Sequence, residues 1–301
     1  MKRVTVKIPA STTNLGPGFD VLGMALNCYN IVEMEISRFG LNIEIIGEGA
    51  DLISRDESNM VYMSTKKVFD LIREKMPPLN IRLINNIPLA RGLGSSGTAI
   101  IGGLMAGNII SSAGLTEQDI LNIAAEIDGH PDNVAASIFG GIVIASMNNG
   151  SVAYMKIIPP KPIKVIAVVP DFQLLTTDAR AILPKKVDIQ TAVFNISRAS
   201  LLVASLATGD FRHLSISTED KLHQPYRAKL IPGIDDVFDA VKSVDSESAV
   251  AISGAGSSIV AFCYNNKSEQ IGESMREAFL KHNIKSHVMI MDIDYKGTEI
   301  L

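Results

Sequence analysis

The chain has 301 residues, which is long enough for two domains of ordinary size, and its 47% hydrophobic and 20% charged content is typical of a globular protein. A formal net charge of −4 gives no electrostatic reason to expect nucleic acid or an anionic membrane as partner. Cys28 and Cys263 lie in apolar runs without metal-ligand spacing, which predicts buried thiols in a reducing cytoplasm. Met1-Lys2-Arg3 leads directly into a strand-like alternation, so no signal peptide is expected.

The chain opens with a predicted strand that leads into an irregular loop. Thr5 to Pro9 continues the strand, and in residues 10–20, read A-S-T-T-N-L-G-P-G-F-D, the prolines and glycines are expected to prevent regular structure. This loop carries Asn14 and Asp20. It is therefore either a plain strand connection or the rim of a binding site.

Two further strands and a helix are predicted next. Val21 to Ile36 is apolar and β-branched enough for one long strand, and we expect Leu41 to Ile46 to pair beside it. Asn59 suits an N-cap, and it would begin a helix that runs to about residue 75. Pro77-Pro78 would stop that helix.

A glycine- and serine-rich stretch follows, residues 88–98, read P-L-A-R-G-L-G-S-S-G-T. It stands between a predicted strand, Asn80 to Ile87, and a long helix of small and apolar residues. Glycines let successive backbone N–H groups turn inward, and a helix N-terminus adds partial positive charge, so the stretch suits a phosphate. It is not a Walker A motif, because no lysine follows Gly97, so backbone N–H groups and serine hydroxyls would hold the phosphates. Taken alone, the pattern could equally be a flexible turn.

The run Gly92 to Thr116 contains no charged residue, but its glycines, serines and asparagines predict a buried helix and not a membrane span. Thr116-x-x-Asp119 resembles a capping box. It begins a predicted helix that reaches Glu126 and Asp128.

The segment G-H-P-D-N, residues 129–133, ends one predicted helix and begins the next, because Pro131 suits a first helical turn. It brings His130, Asp132 and Asn133 to one junction. The last two could bind a ligand or could merely cap the following helix. His130 could be a structural residue that binds the loop backbone.

Prolines in residues 158–162 mark the expected boundary between a first domain, 1–158, and a second domain, 159–301. The second domain has the predicted order strand–helix–insert–strand–strand–helix–strand, which matches a split βαβ, ferredoxin-like plan. Its expected elements are Ile163–Val169, Asp188–Ala207, Val250–Ser253, Ile259–Cys263, Lys267–His282 and Lys285–Met291. Gly209 would end the long helix that starts at Asp188.

Three stretches resemble the three motifs of the GHMP small-molecule kinases. They are Pro9-x-x-x-x-Asn14-Leu15-Gly16-Pro17-Gly18-Phe19-Asp20, Pro88-x-x-x-Gly92-Leu93-Gly94-Ser95-Ser96 and Ser253-Gly254-Ala255-Gly256-Ser257-Ser258. Within that superfamily the chain is similar to the homoserine kinase branch, through Asn14 where mevalonate-type members carry lysine, the G-H-P-D-N segment, and H-Q-P-Y-R at 223–227. The similarity covers nearly the whole chain. It implies an α+β fold with an N-terminal ATP-binding domain like the second domain of ribosomal protein S5 and a ferredoxin-like C-terminal domain.

The resemblance implies a cytoplasmic enzyme of threonine biosynthesis that transfers the γ-phosphoryl group of ATP to the hydroxyl of L-homoserine, forming O-phospho-L-homoserine. Mg²⁺ would bridge the β- and γ-phosphates, with Ser96 and Glu126 as protein ligands, and matching Glu126 to the metal position requires a gap. Another small-molecule alcohol as acceptor is the alternative. We expect no nucleic-acid or membrane partner. Whether the protein forms a homodimer stays open.

The nucleotide is expected to contact the glycine-serine loop and the N-cap of the preceding helix. Its implied binding residues are Pro88, Leu89, Ala90, Arg91, Gly92, Leu93, Gly94, Ser95, Ser96, Gly97, Thr98 and Asn59.

Homoserine is a zwitterion with a terminal hydroxyl, so its site needs a carboxylate fork, an ammonium acceptor and a hydroxyl guide. Arginine supplies a bidentate fork, and Arg180 and Arg227 match the family's carboxylate-binding positions. Outside such a motif, both would be solvated surface charges. The resemblance also places His130 and Gly256 at the substrate.

Four residues are the candidates for catalysis: Asn14, Asp20, Asp132 and Asn133. The two acids are available for the ammonium, the two amides can orient the hydroxyl, and their individual roles stay open. Phosphoryl transfer depends mainly on positioning and charge neutralisation, so a strong general base is not obligatory. The hydroxyl proton would pass directly to the phosphate, or to Asp20.

Overall fold

The computed structural model describes residues 3–301, and its strands form two sheets that the proline-rich segment 158–162 connects along the chain. The first sheet contains seven strands, in the order β11-β1-β2-β4-β3, with the β5–β6 hairpin added beside β2. The strands are β1 (Arg3–Asn14), β2 (Gly18–Ile36), β3 (Asn42–Gly47), β4 (Leu79–Asn85), β5 (Ile142–Asn148), β6 (Ser151–Ile157) and β11 (Glu299–Ile300).

The prediction of an irregular loop over residues 10–20 is wrong, because most of these residues lie in the first two strands. β1 continues to Asn14 and β2 begins at Gly18, so only a tight turn separates them. A register shift between Pro9 and Ala10 lets the strand pass the proline, and small residues then pair with β2. The irregularity is confined to the end of β1, where Asn14 and the next two residues have φ of 67°, 47° and 88°.

The prediction that β3 pairs with β2 is wrong. β3 pairs in parallel with β4, and β4 lies between β3 and β2. The helix that connects β3 to β4 is the reason, because a crossover helix makes the two strands that it joins parallel.

Four helices pack with the first sheet around a core that the strands and helices share. They are α1 (Met60–Leu71), α2 (Ser95–Ser111), α3 (Glu117–Asp128) and α4 (Asp132–Phe139). The Asn59 cap of α1 and the Thr116/Asp119 capping box of α3 are confirmed, and α2 is the buried helix that was predicted. α1 ends four residues before the predicted residue 75, because Arg73 takes a left-handed φ of 59°.

The second sheet has the antiparallel order β10-β7-β9-β8, which confirms the ferredoxin-like plan. Its strands are β7 (Lys164–Pro170), β8 (Ala249–Ile252), β9 (Ile259–Cys263) and β10 (Ser286–Asp292). Its helices are α5 (Thr176–Ala181), α6 (Ile189–Thr208), α7 (Leu214–Ser217), α8 (Gln224–Arg227), α9 (Ile234–Val244) and α10 (Ser268–Lys281). Asp188 caps α6 and Gly209 ends it, as predicted.

One helix, α6, is long and apolar enough to cross a membrane by length and composition alone. Its Leu202 and Leu206 are buried in a core that joins residues of the two sheets.

The boundary at residues 158 and 159 stays a prediction. The change of sheet between β6 and β7 supports it, but the chain's end returns to the first sheet, where Val6 pairs with Ile300.

Candidate active site

A cavity of about 620 Å³ opens where the two sheets meet, a size that suits a small-molecule site. Its wall combines the glycine-serine loop, the end of β1, the α3–α4 junction, residues 174–180 and Arg227. The predicted site residues on this wall are Asn14, Asp20, Asn59, residues 89–98, His130, Asp132, Asn133, Arg180 and Arg227.

The three motifs that are distant in sequence converge on the glycines of the loop. Gly92 and Gly94 have φ of 76° and 77°. A Cβ on Gly92 would lie 2.0 Å from the Ser253 carbonyl oxygen, and one on Gly94 would lie 2.1 Å from Ser11 Oγ. Ser11 Oγ in turn donates to Asn133 Oδ1 at 2.9 Å. Only glycine permits both this backbone conformation and this close packing.

The start of α2 fits a phosphate. Gly94 is the N-cap in a left-handed conformation and offers no side chain to the first N–H groups of this 17-residue helix. These donors and the helix dipole point at the cavity, where a polyphosphate would satisfy them. Arg91 holds the loop against the second sheet, donating to the carbonyls of Pro170 at 2.7 Å and Asp171 at 2.6 Å.

The side of the cavity beyond α2 is mostly apolar, which suits the flat faces of a nucleobase. Its apolar lining is Val32, Ile53, Met60, Val61, Leu83 and Ile100. Buried Asn30 holds both ends of the loop here: its Oδ1 accepts from the N–H groups of Asn86 and Ile87, and its Nδ2 donates to Thr98 Oγ1 at 2.9 Å. This wall could not be predicted from the sequence, because its members are single residues on several elements and share no motif.

Asn14 holds the turn that carries Asp20. Its Oδ1 accepts from the Asp20 backbone N–H at 3.1 Å, and its Nδ2 donates to the Gly254 carbonyl at 2.8 Å. The Asp20 carboxylate receives two hydrogen bonds from Arg180, at 2.6 and 3.0 Å. The Arg180 fork therefore pairs with Asp20 of the chain itself, and its predicted contact with the carboxylate of the substrate stays a prediction.

Arg227 is 1% exposed, so its interpretation as a solvated surface charge is wrong. Nε donates to the Ala179 carbonyl at 3.1 Å and Nη1 to the Gly254 carbonyl at 2.8 Å. The Phe19 ring lies 5.2 Å from the Arg227 guanidinium carbon and 5.5 Å from that of Arg180. Burial and the charge of Arg180 lower the pKa of Arg227 to about 10, so it is charged at neutral pH.

The α3–α4 junction places His130 between two carboxylates. Its Nδ1 lies 3.1 Å from Asp128 Oδ2 and 3.2 Å from Asp132 Oδ1, at angles too bent for regular hydrogen bonds. Burial opposes a charged ring, but the two carboxylates outweigh it and raise the pKa of His130 to about 10. An imidazolium paired with two acids replaces the expected contact with the loop backbone.

Glu126 is not part of this wall. Its side chain is 69% exposed and lies 3.3 Å from Lys67 Nζ, whereas Asp128, two residues later, lines the cavity. Two residues correspond to about 200° around a helix, so the two acids point to opposite sides. Asp128 is the residue that sequence reasoning overlooked, although the helical period and the position of Asp132 could have indicated it.

Gly256 and Pro88 also lie off the wall, which Gly254 and Ala255 form in the third motif. A Cβ on Gly256 would lie 2.9 Å from the Ile231 side chain, so this glycine serves packing behind the wall.

The cavity is lined by equal numbers of arginines and aspartates, whose charges balance. They are Arg91, Arg180 and Arg227, and Asp20, Asp128 and Asp132. The charged His130 leaves a modest positive excess, which favours an anionic guest.

Comparison with known proteins identifies the class. The model for the N-terminal domain of GHMP kinases matches residues 60–141, and the model for their C-terminal domain matches residues 202–281. The chain belongs to the GHMP kinase family, which makes it a kinase and ATP its phosphoryl donor.

The most similar proteins include homoserine kinases. Those of Carboxydothermus hydrogenoformans and Petrotoga mobilis are 40% and 41% identical to the chain, over 98% and 99% of its length and 95% and 96% of theirs. A crystal structure of homoserine kinase from Cytophaga hutchinsonii superimposes with a TM-score of 0.90 at 30% identity, covering 100% of this chain and 98% of that one.

Proposed function

We propose that the protein phosphorylates the side-chain hydroxyl of L-homoserine, forming O-phospho-L-homoserine and ADP. The observation that carries this proposal is the pair of arginines opposite the phosphate loop. Arg227 has Nε and Nη1 bound to carbonyls, so within residues 3–301 its Nη2 is the nitrogen left for a ligand. Arg180 lies over the same Phe19 ring, and its Nη1 and Nη2 pair with Asp20 on the same wall.

An amino acid is the acceptor that such a wall favours over sugars and isoprenoid alcohols. Its carboxylate would bind the two guanidiniums, and its ammonium would meet Asp20 or Asp132, the acids nearest to them on the wall. A neutral alcohol would leave buried Arg227 without its ligand, which is costly.

In the reaction, the acceptor oxygen forms a bond to the γ-phosphorus while the bond from that phosphorus to the β–γ bridging oxygen breaks. The N–H groups of residues 95–97 would stabilise the charge that collects on the phosphates. Asp20 accepts two bonds from Arg180, and Asp132 faces His130, so both acids already face a cation. We therefore assign the hydroxyl proton to a γ-phosphate oxygen, with Asn14 and Asn133 placed to orient the hydroxyl.

The family implies Mg²⁺, which would neutralise charge between the β- and γ-phosphates. In the part of the chain that the structure describes, no three His, Cys, Asp or Glu side chains cluster as a metal site. This fits Mg²⁺, which is commonly held by one or two protein oxygens together with phosphates and water. Ser96 and Asp128 offer a hydroxyl and a carboxylate on the cavity wall, and we assign the metal to this pair in preference to the exposed Glu126.

The proposal is tested by ADP production with homoserine, mevalonate, galactose and shikimate as acceptors. Homoserine should give the highest kcat/KM. Faster turnover of any of the other three acceptors would transfer the assignment to another alcohol, and ATP binding without ADP release would indicate a nucleotide sensor.

We also propose that the protein acts in the cytoplasm, in threonine biosynthesis, without a nucleic-acid or membrane partner. The net charge of −4 gives no electrostatic reason to expect nucleic acid or an anionic membrane as partner. Gel filtration with light scattering would decide between a monomer and a homodimer.

A further inference from the structure

His223 is a buried side chain behind the cavity wall that the proposed mechanism does not use. It has no exposed surface and precedes Arg227 by four residues, at the start of α8. Its ring stacks on Phe19, with ring centres 5.3 Å apart and planes inclined by 29°. His223 thus touches the aromatic ring on which both guanidiniums lie.

Two hydrogen bonds fix the position of the proton on the His223 ring. Nε2 lies 2.7 Å from the Gly16 carbonyl oxygen, and Nδ1 lies 3.3 Å from Arg227 Nη1. A carbonyl oxygen only accepts and a guanidinium only donates. The ring therefore carries its proton on Nε2, where it donates to Gly16, and its Nδ1 lone pair accepts from Arg227.

The charges around His223 are compatible with this neutral form. Asp220 lies 3.6 Å from Nε2, but its carboxylate already accepts four N–H donors from neighbouring residues. Burial and the charge of Arg227 lower the pKa of His223 and outweigh the opposite effects of Asp220 and the more distant Asp20.

The ring thus connects two parts of the substrate site. Gly16 lies in the turn between β1 and β2. The turn packs closely here, because a Cβ on Gly16 would lie 2.2 Å from the Thr218 carbonyl oxygen. That turn leads to Asp20, while Nδ1 contacts the arginine opposite. Without an acceptor at Nδ1, Arg227 Nη1 would keep only the Gly254 carbonyl, and the guanidinium plane would be less firmly set.

We propose that His223 is a positioning residue, whose neutral ring sets the angle at which Arg227 Nη2 meets the carboxylate of the acceptor. The inference rests on the proposed function, because it assumes that an amino acid binds Arg227. It predicts that loss of the Nδ1 acceptor weakens acceptor binding and leaves nucleotide binding unchanged.

Two substitutions separate the two hydrogen bonds of the ring. In His223→Asn the side-chain oxygen falls near the position of Nδ1, so it keeps an acceptor for Arg227 and loses Gly16. In His223→Gln the amide nitrogen reaches the position of Nε2, so it keeps the bond to Gly16 and loses the acceptor. The same two substitutions at His287, exposed on β10, are the controls.

We expect His223→Gln to raise the KM for homoserine by roughly tenfold, the effect of losing one hydrogen bond to a charged group. His223→Asn should stay within about threefold of the unmodified enzyme, and the KM for ATP should stay within about twofold in both variants. Both should lower the melting temperature similarly, because each loses one buried bond. Equal increases in homoserine KM for both variants, or increases that follow the loss of melting temperature, would overturn the proposal.

The tautomer can be measured on the unmodified protein, so the proposal stays testable if neither variant folds. In a ¹⁵N-histidine spectrum, the His223 signal is the one that remains when each of the other four histidines is assigned by substitution. We expect a neutral ring with the proton on Nε2 at neutral pH. A proton on Nδ1 would overturn the proposal. An unmodified enzyme that does not phosphorylate homoserine would refute the proposed function, whereas an active one with indistinguishable Asn and Gln variants would refute only this inference.

Discussion

Replacement of Arg227 by lysine tests the proposed carboxylate site most directly, because lysine keeps the positive charge and loses the planar fork. The guanidinium is 1% exposed and uses separate nitrogens for the Ala179 and Gly254 carbonyls. A single ammonium group cannot reach both carbonyls and also meet a ligand where Nη2 lies. The substitution therefore removes at least one charge-assisted hydrogen bond to the acceptor.

A lost bond of that kind costs about 1.5–3 kcal/mol, and about 1.4 kcal/mol corresponds to a tenfold change in affinity. We expect Arg227→Lys to raise the KM for homoserine by roughly ten- to a hundredfold, while the KM for ATP changes by less than about twofold. A coupled ADP-release assay measures both constants. The buried carbonyls lose partners as well, so the melting temperature should fall by a few degrees.

The matched control is Arg276→Lys, on the exposed side of α10, where the side chain pairs with Glu273. It retains charge in the same way and should leave both constants and the melting temperature unchanged. An unchanged KM for homoserine in Arg227→Lys, or an equal rise in both KM values, would refute the assignment of Arg227 to the acceptor's carboxylate.

Two further pairs of variants test the metal and the phosphate loop. Asp128→Asn should raise the Mg²⁺ concentration for half-maximal activity at least about tenfold. Glu126→Gln, on the exposed side of the same helix, should leave this concentration unchanged, and the reverse result would assign the metal to Glu126. Gly94→Ala places a Cβ 2.1 Å from Ser11 Oγ at a φ of 77°, so we expect a lower melting temperature and a KM for ATP raised by about tenfold or more. Gly114→Ala is its control, because Gly114 has a φ of 71° with nothing within 4 Å, and equal losses in both variants would show that backbone strain alone is responsible.

The features that were predicted well are those that local sequence determines. Asn59 caps α1 through its own side chain, Thr116 and Asp119 form a reciprocal cap, and Gly209 ends α6 in a left-handed conformation. Each of these interactions joins residues that are at most four positions apart. The order of strands and helices in the second domain followed from the same kind of signal, because each element has its own start, stop and hydrophobic period.

Features that depend on the relative placement of distant segments were predicted poorly. The partner of β3 depends on the crossover through α1, and the orientation of Glu126 and Asp128 depends on which face of α3 meets α2 and α4. The burial of Arg227 could not be read from its neighbours, which include a proline and a tyrosine at the start of a four-residue helix. Only the family resemblance distinguished this arginine from a surface charge.

The way in which Arg227 is buried links the proposed acceptor site to the contacts between the two sheets. Its carbonyl partners, Ala179 and Gly254, come from two distant segments of the second domain, and Gly254 also accepts from Asn14 of the first. The same Gly254 donates its N–H to the Thr13 carbonyl at 3.2 Å. A shift of one sheet relative to the other would therefore disturb the guanidinium as well as the phosphate loop, which Arg91 also holds against the second sheet. Arg227 can be buried without a carboxylate of its own because two carbonyl oxygens and His223 Nδ1 replace water as its hydrogen-bond acceptors. Within the described residues, its Nη2 is left for the proposed substrate.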